Sequence, residues 1–132
     1  MTAALASRSG VVTVLPGVPE SVREARDLVR SQLGPGPVAE AAVLCVSELA
    51  ANAIAYTRSG LPGGTFAVSV QAVPGGVVIR VRDGGARTLP VLSDQGPGAE
   101  HGRGLLIVAA VAAQWGTEPT AAGRATWCRI AV

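Results

Sequence analysis

The sequence predicts an α+β fold, one sheet packed on one layer of helices, and three observations predict it. Strand and helix patterns are partly segregated along the chain, in the order strand, helix, helix, strand, strand, loop, helix, strand, strand. Two segments, TFAVSVQAV and VVIRVRD, flank Pro74-Gly75-Gly76 and read as an antiparallel hairpin. Between the first strand and that hairpin lie two helical patterns, one amphipathic and one apolar nearly all round. Neither a βαβ nucleotide fold nor a barrel suits this order.

With 132 residues the chain has room for one compact domain, expected over 11–132 behind a flexible stretch at 1–10. Val11 to Leu15 forms a short exposed strand stopped by Pro16-Gly17. In PESVREARDLVRSQLG, Pro19 opens a helix that Gly34 closes, with Val22, Ala25, Val29 and Leu33 on one face. Arg23, Glu24, Arg26, Asp27 and Arg30 fall on the other face, as a solvated surface or one that a partner uses. Pro35 to Pro37 breaks the chain before a buried central helix from about Val38 to Tyr56. SGLPGG is a loop, and the hairpin follows it. Gly84 to His101 is loop-like, which in a compact domain is more often functional than idle. GLLIVAAVAA gives a third short helix, and two strands around Ala121-Ala122-Gly123 end the chain, with Trp115 and Trp127 packing on the sheet.

Composition removes several chemistries. All 11 basic residues are arginine, so there is no P-loop lysine, no lysine of the eukaryotic kinase type and no Schiff base. A net charge of +2 with scattered arginines argues against nucleic acid as a direct partner. Cys45 and Cys128 lie outside any metal-ligand spacing and read as buried reduced thiols rather than a disulfide. No stretch reaches the roughly 18 to 20 apolar residues that span a bilayer, so a cytoplasmic protein with no membrane partner is expected.

Three polar interruptions carry the candidate chemistry. In SELAANAIAYT, Glu48 and Asn52 stand four residues apart on one helix face; they either point into one pocket or satisfy each other and nearby backbone. In VRDGG, Asp83 ends a strand beside two glycines, as an acceptor for a ligand amine or as a plain Asp-Gly turn. In HGRGL, Gly102 and Gly104 flank Arg103 before an apolar helix, where free amides and a guanidinium suit an anion. His101, the only histidine, reads as a loop or helix-entry residue, with a role on phosphate as the alternative.

Taken in order, SELAANAIAYT, VRDGG and HGRGL resemble the N-box, G1 box and G2 box of the GHKL (Bergerat-fold) ATP-binding superfamily. The short bacterial anti-sigma factor and serine kinase type looks closest, over nearly the whole chain. That resemblance implies a two-layer sandwich with a mixed, mainly antiparallel sheet covered by helices on one face. It implies ATP and Mg²⁺ as cofactors, with Asn52 holding the ion that bridges the phosphates and Glu48 as general base. Asp83 would accept from the adenine amino group, Gly85 would leave room for the base, and Gly102, Arg103 and Gly104 would close over the phosphates. Thr126 would lie near the adenine. Tyr56 stands where members often have histidine, and Ala86-Arg87 stand where a further glycine is common. The implied role is phosphorylation of a serine or threonine on an anti-anti-sigma antagonist, together with binding of a sigma factor. The alternative is a non-catalytic module that sequesters its partner. Members of this size commonly pair, so a homodimer is expected.

Overall fold

The computed structural model of the chain describes residues 11–86 and 105–132. Strand β1 (Val11–Pro16) leads into two helices, α1 (Glu20–Leu33) and α2 (Pro37–Tyr56). A 3₁₀ turn (Arg58–Gly60) connects to the hairpin of β2 (Thr65–Val73) and β3 (Gly76–Asp83). A helical segment over 105–111, α3, precedes β4 (Gln114–Pro119) and β5 (Arg124–Ala131). The strands form one five-stranded sheet in the order β1-β2-β3-β5-β4.

Every pairing is antiparallel, so among the described residues the sheet lacks the parallel component of the expected mixed arrangement. For β1 and β2 the helices explain this. α1 and α2 run as a packed pair that carries the chain away from the end of β1 and back to the same end, where Pro16 faces Thr65. A strand re-entering there must run antiparallel to the one that left.

Strand periodicity divides the sheet into a covered and an open face. Phe66, Val68 and Val70 of β2, Val77, Ile79 and Val81 of β3, and Cys128 and Ile130 of β5 are buried under the helices. Val12 and Val14 of the edge strand lie on the other face and are exposed. Helix α1 contributes Ala25 and Val29 to the core, and α3 contributes Val108.

Helix α2 is built from small residues. Ala39, Ala42, Ala50 and Ala53 lie in its buried stripe beside Val46 and Leu49. Their short side chains suit a central helix lying close over a sheet, and alanine favours the helix intrinsically. The same composition makes α2 apolar enough, at a mean hydropathy of 1.6, to cross a bilayer by length and composition alone. The expectation that no stretch comes near that length therefore needs correction. In the fold this helix serves as the centre of the core, and it carries Glu40, Glu48 and Asn52 outside the buried stripe.

Cys45 of α2 and Cys128 of β5 are both free and fully buried. Far apart in sequence, they meet in the core and share a hydrogen bond; that bond, with burial, pushes the Cys128 thiol well above its ordinary range.

Phe66, the only phenylalanine, is 2% exposed on the covered face of β2. Phe66→Ala should lower unfolding free energy by about 3–5 kcal/mol in urea denaturation, as for other large-to-small core changes. A loss below about 1 kcal/mol would contradict the tight packing described.

Candidate functional site

Helix α1 packs over β1 and β2, whereas α2 packs over β3 and β5. The flank of α2 turned away from α1 therefore overlooks β5, and by helical geometry Glu48 and Asn52 occupy that flank, one turn apart. Both are half-buried. Glu48 is near enough to Cys45 for its charge to act on that thiol. The Asn52 Nδ2 is buried without a hydrogen-bond partner among the described residues. Glu48 and Asn52 are therefore not satisfying each other through that amide. A buried Nδ2 without a protein partner is a donor open to a ligand oxygen or an ordered water.

Asp83 ends β3 on the covered face of the sheet, two residues beyond Val81. Thr126 of β5 sits opposite Val81, and Arg124 sits opposite Asp83. Thr126, Arg124 and Asp83 consequently share one face at one end of two neighbouring strands. The Asp83 Oδ1 accepts from the Gly85 backbone N–H at 2.7 Å, closing an Asx-type turn. Burial raises the Asp83 carboxyl above its ordinary range, opposed by that backbone donor and by the charge of Arg124.

The Asp83 loop is held from two sides. The Gly84 N–H donates to Ser59 Oγ at 3.0 Å, and the Arg58 N–H donates to the Gly85 carbonyl at 2.8 Å. Thr57 and Ala86 add an isolated antiparallel bridge. Ser59 is almost fully buried, and its own N–H donates to Thr57 Oγ1 at 3.0 Å. These bonds stitch the segment just beyond α2 to the segment just beyond β3, so the helix that carries Asn52 and the strand that carries Asp83 are fixed in register. On the far side, Gly123 packs against the loop so closely that a Cβ there would collide with the Asp83 carbonyl and the Gly85 nitrogen. Gly85 itself has φ of 87°, which side chains rarely adopt.

The chain matches the histidine kinase-like ATPase domain over residues 15–129. It belongs to that family. No curated relative matches the chain. Membership makes ATP the ligand of this histidine kinase-like ATPase domain. The described residues suit such a ligand: an acceptor at the end of β3, a glycine beside it, and an unpaired amide on the facing helix.

Of the residues singled out from sequence, Glu48, Asn52, Asp83, Gly85 and Thr126 come from three elements that converge on the covered face of the sheet. Gly102, Arg103 and Gly104 lie outside the described residues, as do Arg87 and His101. Sequence reasoning missed three contributors. Ser59 sits in an ordinary-looking loop, and only its 25-residue reach to Gly84 reveals its part. Arg124 and Gly123 read as a turn before a strand; their closeness to Asp83 follows from the pairing of β3 with β5.

The folded protein keeps Asp83 protonated to a higher pH than the unfolded chain does. The carboxyl therefore favours the fold at low pH, and that contribution is lost as pH rises through its elevated pKa. Above that pKa the ionised group weighs against stability. Asp83→Asn, which keeps an acceptor for Gly85, should melt at or above the wild-type temperature at pH 7, with the advantage vanishing in acid. Calorimetric melting at both pH values tests this, and a variant markedly less stable at pH 7 would refute it.

Proposed function

We propose that this histidine kinase-like ATPase domain binds Mg²⁺·ATP and phosphorylates a serine or threonine on an anti-anti-sigma antagonist, in a cytoplasmic partner-switching circuit where it also binds a sigma factor. The observation that carries the reading is Glu48, half-buried one turn before Asn52 on the flank of α2 that overlooks β5. A pocket that only held nucleotide would have use for Asn52 and Asp83 but little for a second carboxylate on that flank.

In this reading Asp83 accepts from the adenine amino group, Gly85 leaves room for the base, and Thr126 stands beside both. Asn52 turns its amide oxygen toward Mg²⁺, a hard cation that prefers oxygen ligands. The ion would neutralise phosphate charge when bound. Gly102, Arg103 and Gly104 contribute amides and a guanidinium to the phosphates. Glu48 accepts the proton as the substrate hydroxyl oxygen bonds to the γ-phosphorus; the bond from that phosphorus to the bridging oxygen breaks, and ADP leaves.

ATP titrated calorimetrically with Mg²⁺ should bind the wild type and bind Asp83→Asn at least about tenfold more weakly, the scale of a lost specific hydrogen bond in a pocket. Radiolabel from γ-labelled ATP should pass to a candidate antagonist and fail to pass with Glu48→Ala, although that variant still binds ATP. Stable co-purification with the antagonist but no label transfer would instead make the domain a sequestering module.

A homodimer is part of the proposal. Val11, Val12 and Val14 are about half or more exposed on edge strand β1, whose outer backbone groups a second copy could pair. Light scattering should give twice the chain mass at high micromolar concentration, and a monomer there would rule the dimer out.

A further inference from the structure

Between α1 and α2 lies a groove of about 580 Å³, on the side of α2 that carries Val43 and Ser47, with Leu44, one turn before Glu48, at its rim. Arg23, Arg26 and Arg30 line one side of it, at spacings that place them along one stripe of α1. Val43, Leu44 and Ser47 line the other, and Leu44 is 40% exposed. The nucleotide site needs none of these groups.

The arginines are poorly committed. Arg30 stands 3.9 Å from both Asp27 and Glu40, long for ion pairs, and all three side chains are largely exposed. Arg23 and Arg26 make no ion pair among the described residues. Free guanidinium groups beside an uncovered leucine form a surface with both a charge to match and an apolar floor to fill.

The pattern selects among occupants. Arg23 to Arg30 spans seven residues of helix, roughly 10 Å, so the positive groups are strung along the groove rather than gathered around one point. Asp27 and Glu40 lie among them, so a ligand must place its negative groups singly beside the arginines and clear of these two acids, which the continuous charge of a nucleic-acid backbone does not allow. Single carboxylates spaced along a helix can alternate with these charges, and an apolar side chain between them can cover Leu44.

We infer that the α1/α2 groove is a docking surface for an acidic helical segment, with an apolar anchor, on the protein that this domain acts upon. This rests on the part of the proposed function that assigns a protein partner, and it is independent of phosphoryl transfer. Arg23 and Arg26 steer and hold the carboxylates, and Leu44 takes the anchor.

The test uses a fluorescein-labelled peptide of roughly 16 residues, long enough to sustain helix, with leucines at i and i+4 flanked by glutamates. Fluorescence polarisation should show saturable binding to the full chain at low salt, weakened about tenfold or more by Arg26→Glu and by Leu44→Asp. The same peptide with glutamine for glutamate should bind as weakly as those variants do to the acidic one. Circular dichroism and ATP titration of both variants should match the wild type. No saturable binding to wild type overturns the inference, as does equal binding of the glutamine peptide. So does an oligodeoxythymidylate that binds wild type and Leu44→Asp more tightly than the peptide does. Peptide binding as expected in a protein that fails to take up ATP would sink the phosphoryl-transfer reading and leave the docking surface standing.

Discussion

The buried hydroxyl of Ser59 ties the end of helix α2 to the end of strand β3. Its oxygen takes the Gly84 N–H, while the neighbouring Arg58 N–H takes the Gly85 carbonyl. Each bond is individually modest, but the Ser59 hydroxyl is almost fully buried, and leaving it without its partner would be expensive. Helix and strand belong to different layers, and layers packed through alanine and valine contacts alone can slide. Directional bonds at one corner prevent that, and the corner chosen is where Asp83 and the last turns of α2 meet.

Around that corner the chain accepts local penalties. Asp83 is held in a place that disfavours its charge, with one backbone donor and Arg124 only partly offsetting burial. Gly123 gives up a side chain so that two backbone segments can approach, and Gly85 gives one up to hold a positive φ. Asn52 carries a buried amide without a partner among the described residues. A core selected for stability alone would remove all of these, whereas a pocket that exchanges hydrogen bonds with a ligand requires groups of this kind.

Helix α2 has three surfaces with different physics. Its alanine-rich stripe lies on the sheet, Glu48 and Asn52 mark the flank above β5, and Leu44 and Ser47 open onto the arginine side of α1. One helix thus relates a chemical site and a charged groove to the same rigid core, with Leu44 and Ala51 exposed along the crest between them.

The sequence by itself determined most of the elements and half of the site. Period-two alternation in TFAVSVQAV and VVIRVRD, and the proline and glycine that bound α1, are local signals, and local physics decides them. Glu48 with Asn52 could be placed on one face because helical spacing is fixed, and Asp83 stood out because it ended an apolar strand. That every pairing among the described strands is antiparallel was not legible, since the direction of β2 against β1 depends on where the α1/α2 pair returns the chain. Nor was the nearness of Cys45 to Cys128, of Ser59 to Gly84, or of Arg124 to Asp83. Those contacts join residues far apart in the chain, and strand register together with layer packing, both tertiary properties, brings them together.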